Sequence, residues 1–178
     1  LSGEYLREGK DLKEFHRLIS SKLGEFAEEA KSKMTSPNGA IVYAGGEDFL
    51  GFINLNYLFE VLILLRELFD CKVNQGIKEY KLENKNLSFS AGIVAAHYKM
   101  PLSEVLKWAR QSEKDAKNID DNKNAFAVSV LKKSGETTKS LFNWGNEKNL
   151  TEYLEVFEYL TGKLLKKQNI KKPLNYIR

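Results

Sequence analysis

One cysteine stands among 178 residues, with three prolines and two histidines. A single thiol can build neither a disulfide framework nor a cysteine-rich zinc centre, so a reducing, cytoplasmic compartment is the default expectation. The two histidines, His16 and His97, are far apart in the chain, and each reads first as a structural side chain rather than a ligand. Long apolar runs are also missing. The longest, Tyr57 to Leu65, is broken by Glu60 and is about half the ~20 residues a membrane-spanning helix needs. The start, Leu1-Ser2-Gly3-Glu4, has neither an initiator Met nor a charged-then-apolar signal pattern. It reads as a cut end, and the chain as a piece of a larger protein. An excess of one charge sign is lacking too: 28 basic against 24 acidic side chains leave a net +4, a mixed surface rather than a nucleic-acid-binding arm.

What is present is strong periodicity. Leu12, Phe15, Ile19, Leu23, Phe26, Ala27, Ala30 and Met34 recur every three or four residues between Asp11 and Met34, which predicts an amphipathic helix. Ser36-Pro37-Asn38-Gly39 ends it. Ala40 to Ala44 and Phe49 to Ile53 are two short apolar runs around Gly45-Gly46-Glu47-Asp48. They predict a β-hairpin buried on both faces, because neither run alternates with polar residues. Asn56 is placed to cap a helix from Tyr57 to Phe69. Asp70 to Asn86 shows no sustained period and reads as a loop or a weak strand.

From Leu87 the pattern has period two. Leu87, Phe89, Ala91, Ile93 and Ala95 face one way and Ser88, Ser90, Gly92 and Val94 the other, giving a strand with one face of small side chains. Pro101 opens a helix that runs to about Lys117. After a polar turn, Phe126, Val128 and Val130 mark another strand, closed by Lys132-Lys133-Ser134-Gly135. A last helix is predicted over Leu150 to Lys167, before a basic tail of Lys171, Lys172 and Arg178. The tail can touch RNA phosphates or simply be a solvated helix end. The order α-ββ-α-β-α-β-α predicts an α+β, ferredoxin-like fold: βαββαβ lacking its first, central strand, with an added C-terminal helix. Residues 1 to 9, or a strand from elsewhere, would fill that gap. The expected division is residues 1–140 as one domain and 141–178 as a helical extension.

Gly45-Gly46-Glu47-Asp48 is the strongest chemical signal. Adjacent carboxylates at the tip of a hairpin, with Gly45 and Gly46 permitting a sharp turn and close approach of a ligand, suit Mg²⁺, which takes hard oxygen ligands and is typically held by one or two carboxylates plus substrate phosphates. A plain polar turn explains the same four residues, and spacing alone leaves both readings open. Cys71 has no neighbouring histidine or carboxylate set for nucleophilic catalysis. Trp108 and Trp144 suit packing as well as base stacking.

The tetrad after Ile41-Val42-Tyr43-Ala44 resembles the palm hairpin of the large, polymerase/cyclase-like subunit of type III CRISPR interference complexes, Cmr branch. Ser90-Ala91-Gly92-Ile93, Ala96-His97, Pro101-Leu102, Ala109-Arg110, Glu113, Ala116-Lys117, Asn124-Ala125 and Ser134-Gly135 follow that family's order and spacing. The resemblance covers roughly residues 10 to 140, and a more distant one reaches the diguanylate cyclases. It implies a palm domain of an antiviral complex that converts ATP to cyclic oligoadenylates, with Mg²⁺ or Mn²⁺ as cofactor. Its implied partners are nucleotide, other subunits of the ribonucleoprotein and, through them, guide and target RNA, with no membrane. Residue by residue, it implies that Glu47 and Asp48 are metal ligands and catalytic, and that Gly45 and Gly46 lie against nucleotide. The family's usual tetrad is Gly-Gly-Asp-Asp, so Glu47 is a departure, and the family's further metal-binding Asp belongs to the first palm strand. Lys117 resembles the lysine that meets triphosphate in palm cyclases, and a solvated helix terminus is its plain alternative. Ser90 is placed to sit beside a nucleotide, though packing against a helix explains small residues on that face as well. Lys123 is a weaker candidate. The alternative to catalysis is a palm retained as a structural module of the RNA complex.

Overall fold

A computed structural model describes residues 9–80, 86–119, 123–132 and 135–144. The chain forms two compact units, Leu1–Phe142 and Asn143–Arg178. The helix expected over Leu150 to Lys167 and the basic tail lie outside the described residues.

Helix α1 spans Leu12–Lys33. The Asp11 carboxylate caps it by accepting from the Lys13 N–H at 2.8 Å, and Lys31 and Lys33 in its last turn complement the helix dipole. Its apolar stripe is buried at Phe15, Phe26, Ala27 and Ala30. Strands β1 (Gly39–Gly45) and β2 (Asp48–Ile53) form an antiparallel hairpin. Gly39 has no room for a side chain, since a Cβ there would lie 2.3 Å from the Phe52 carbonyl oxygen.

The hairpin is buried on one face, not two. Ile41, Phe49 and Ile53 pack onto the core, whereas Val42 (58% exposed), Tyr43 (54%) and Phe52 (56%) face outward. Apolar residues on both faces of the hairpin predict burial of both, but only the inward face packs onto the core.

Asn54, rather than Asn56, makes the next cap. Its side chain accepts from the Asn56 N–H at 3.1 Å, starting a 3₁₀ turn at Leu55–Tyr57 that leads into helix α2, Leu58–Phe69. The three-residue 3₁₀ entry moves the cap two residues upstream of the predicted one. Phe26, Ala30 and Met34 of the α1 region meet Val61, Leu65, Leu68 and Phe69 of α2 in the main core. The Phe26 ring packs edge-on to Phe69 with centroids 5.8 Å apart, and Phe89 closes the cluster 5.1 Å from Phe69.

The stretch after α2 begins as a π-helical turn, Asp70–Asn74, rather than as open loop. The buried Asn74 explains its persistence. Its amide donates to Asp70 Oδ1 at 2.8 Å and to the Leu87 carbonyl at 3.2 Å, and its Oδ1 accepts from the Leu87 N–H at 2.7 Å. That clamp draws residues 87–90 into irregular backbone, so strand β3 starts at Ala91 (Ala91–Ala96) and not at Leu87.

Helix α3, Leu102–Lys117, crosses from β3 to β4, Ala125–Leu131, which pairs parallel with β3 from Ala91↔Phe126 to Ala96↔Leu131. A crossover helix is what a parallel neighbour demands. Gly92 marks the closest approach: a Cβ there would stand 2.3 Å from the Ala109 carbonyl oxygen and from the Glu113 amide nitrogen. Behind it the hydroxyls of Ser112 and Ser129, both fully buried, bond at 2.7 Å.

The sheet does not close after β4: the Lys132 N–H donates to the Glu136 carbonyl at 3.0 Å, and a further strand, β5, Thr137–Asn143, follows. This strand was absent from the expected order. Among the described residues the strands order as β1-β2 in one sheet and β3-β4-β5 in a second, with no strand joining them. The molecule is thus an α+β, palm-like fold in which the strand that would bridge β2 to β3 is not supplied by any described residue.

Candidate functional site

The hairpin turn is built on Gly46, whose φ is +59°. Gly45 pairs across the ribbon with Asp48, so Gly46 and Glu47 form a two-residue loop. Positive φ at the first of the two only is the pattern of a type II′ turn, which takes Gly there. A Cβ on Gly45 would come 2.9 Å from the Tyr43 hydroxyl, so the phenol lies over the approach to the turn.

Tyr43 reaches that place because of a bulge. Ile41 pairs with Gly51 and Tyr43 with Leu50, leaving Val42 unmatched. The extra residue breaks the alternation of β1, and both Val42 and Tyr43 point outward. Bulges bend a strand, re-aim its side chains and gather beside functional sites. On β2 the alternation is kept, so Asp48 shares the outward face with Leu50 and Phe52. An acidic tip therefore borders an exposed apolar and aromatic surface.

Glu47 and Asp48 are both exposed, and neither is held by an ion pair among the described residues. No group of three or more potential His, Cys, Asp or Glu ligands is assembled among those residues. Two uncommitted carboxylates fit Mg²⁺ or Mn²⁺ as part of a coordination sphere that phosphate oxygens and waters complete. They do not make a closed protein cage.

The remaining candidates are engaged elsewhere. Lys117, at the end of α3, pairs with Glu113 at 2.7 Å. The Ser90 hydroxyl donates to the Lys123 carbonyl, and the Phe89 N–H donates to Asn124 Oδ1 at 3.4 Å. Lys123 holds a left-handed φ of 54°, uncommon for a residue with a side chain. No described hydrogen bond or ion pair connects Ser90 or Lys117 to the hairpin tip. Sequence reasoning singled out the tip's carboxylates and glycines but missed Tyr43, because a bulge leaves no mark in a run of apolar residues. His97 sits in the loop after β3, accepting from the Lys99 N–H at 3.2 Å, and His16 lies exposed on α1. Cys71 is exposed. None of the described helices is long and apolar enough to cross a membrane.

A family profile for the Cas10/Cmr2 second palm domain matches residues 2–127. A curated protein from Pyrococcus furiosus, described as CRISPR system Cmr subunit Cmr2, is 33% identical over 132 residues. That match covers 72% of this chain and 14% of the relative, so the chain spans a small part of the length of the relative it matches. The tetrad, the bulged hairpin and the β3–α3–β4 unit up to Ala127 all fall inside the matched region, and the chain belongs to the Cas10/Cmr2 family, as a second palm domain of a type III CRISPR Cmr large subunit.

Proposed function

We propose that this palm binds ATP with a divalent cation at its hairpin tip and serves conversion of ATP to cyclic oligoadenylates in the intact antiviral complex. The observation that carries the reading is the uncommitted Glu47–Asp48 pair at the end of an exposed apolar face, Val42, Tyr43, Leu50 and Phe52. A nucleotide has the matching polarity: a flat base to lie on apolar and aromatic surface, and phosphates to project toward the tip. Mg²⁺ or Mn²⁺, when bound, would neutralise phosphate charge and polarise the phosphoryl oxygens. The chain's own part is positional. Glu47 and Asp48 supply carboxylate oxygens, Gly45 and Gly46 let phosphate approach the backbone, and the Tyr43 hydroxyl offers a hydrogen bond beside the turn. Glu47, one methylene longer than the family's usual Asp, shifts where its oxygens reach.

Equilibrium binding of a fluorescent ATP analogue, titrated with Mn²⁺, tests this. Metal-dependent binding should be present in the parent and drop at least tenfold in Asp48→Ala. Equal metal-dependent binding in the variant would end the proposal.

The second reading is a palm kept as a structural module. The observation in its favour is that Lys117 and Ser90 are tied to Glu113 and Lys123, with no described hydrogen bond or ion pair from either to the tip. Full-length protein without metal-dependent nucleotide binding would support it.

A further inference from the structure

The outward face of α3 is a second feature with chemical character, apart from the hairpin and on the other sheet. Ser103, Lys107, Arg110, Gln111 and Lys114 follow one another at helical spacing, and all are exposed. Neighbouring cations are committed: Lys117 pairs with Glu113, and Lys139 of β5 with Asp115. Lys107, Arg110 and Lys114 make no ion pair among the described residues. Glu104 is exposed beside them, and the flanking carboxylates of Glu113 and Asp115 are taken by Lys117 and by Lys139 with Gln111. Three exposed cations thus stand in one line on this face of the helix.

We infer that this stripe docks single-stranded nucleic acid, its cations meeting successive phosphates while Tyr98 stacks on a base. At a rise of ~1.5 Å per residue the cations succeed one another every ~4.5–6 Å along the axis, close to the repeat of phosphates in an extended strand. Tyr98, in the loop between β3 and α3, is 84% exposed, with the His97 ring 4.5 Å away and Lys99 Nζ 5.7 Å from its centroid. A nearly bare aromatic ring beside a lysine offers a face on which a base can stack. It is what sequence-tolerant binding of a strand uses, since every base offers a π-face and every nucleotide a charge. The inference does not rest on nucleotide binding at Glu47 and Asp48.

The test is fluorescence anisotropy of a labelled oligouridine strand with the full-length protein over a range of salt concentrations. Each phosphate neutralised on a single strand contributes about −0.7 to the slope of log affinity against log salt. Lys107→Gln/Arg110→Gln/Lys114→Gln should therefore flatten the slope by about 2. Tyr98→Ala should weaken binding about fivefold or more while leaving the slope unchanged. Lys107→Arg/Lys114→Arg keeps the charge and should keep the slope, which separates loss of contacts from loss of fold. An unchanged slope in the triple glutamine variant would overturn the inference. So would polyglutamate displacing the strand as effectively as unlabelled RNA with Tyr98→Ala neutral, which would assign the stripe to an acidic protein surface.

Discussion

At Gly92 a single missing side chain sets how closely α3 lies on its sheet. A methyl group there would stand 2.3 Å from two backbone atoms of the helix, the Ala109 carbonyl oxygen and the Glu113 amide nitrogen. Backbone cannot swing aside as a flexible side chain can. Gly92→Ala should therefore push α3 off β3 and cost about 1–3 kcal/mol, as overpacking of a tight interior does. Urea denaturation followed by circular dichroism reads this, and an unchanged midpoint would show that the helix can shift freely. The sequence placed Gly92 on a small-residue face without saying what lay against it, and for Ser90 on the same face both nucleotide and helix remain readings. The structure assigns Gly92 to helix packing, with the buried Ser112–Ser129 bond alongside. At Gly45, by contrast, the neighbour is the end of a side chain, the Tyr43 phenol 2.9 Å from where a Cβ would stand, which can swing aside where backbone cannot.

Among the elements, β5 shows where pattern reading fails. Thr137-Thr138-Lys139-Ser140-Leu141-Phe142-Asn143 has few apolar positions because it is the outer strand of its sheet. Phe142 stacks on Phe126 with ring centroids 5.0 Å apart. A further tie is electrostatic. Lys139 Nζ donates to the Asp115 carboxylate of α3, and Gln111 Nε2 donates to the same group at 2.8 Å. The Lys139 contact first, then Gln111, holds the Asp115 carboxyl below its ordinary value. The sign follows: with the folded pKa below the unfolded one, the contribution is complete above about pH 4 and is lost as pH falls through the folded value. Lys139→Met should lower the melting temperature near neutral pH, and the gap from the parent should close as pH falls below about 4. A gap that stays constant into acid would mean that Lys139 acts through packing, for instance over the Trp108 ring 5.7 Å away. The two long helices were readable for the opposite reason. Each turns a broad apolar stripe inward, and a period of 3.6 survives small errors at the ends.

For the molecule as a whole, the carboxylate pair sits on one sheet and the Ser90–Lys123 contact and Lys117 around the other, with no described strand between the two. Chemistry that depends on both halves needs something to hold them in register. The 178-residue chain by itself should therefore form little or no oligoadenylate from ATP and Mn²⁺, by chromatography of the products, even where full-length protein is active. Robust product from the chain alone would show that the two sheets suffice.

The helices, the hairpin and its acidic tip were fixed locally, because periodicity, a Gly-Gly turn and a carboxylate pair are properties of neighbouring residues. So was the family, through motifs kept in order along the chain. Tertiary structure decided the rest: that one hairpin face stays bare, that a bulge brings Tyr43 over Gly45, that Asn74 unravels the start of β3, and that Lys117 and Ser90 answer to Glu113 and Lys123. Each of these depends on what a distant part of the chain places alongside. Burial and hydrogen-bond competition between distant segments are settled only when those segments meet.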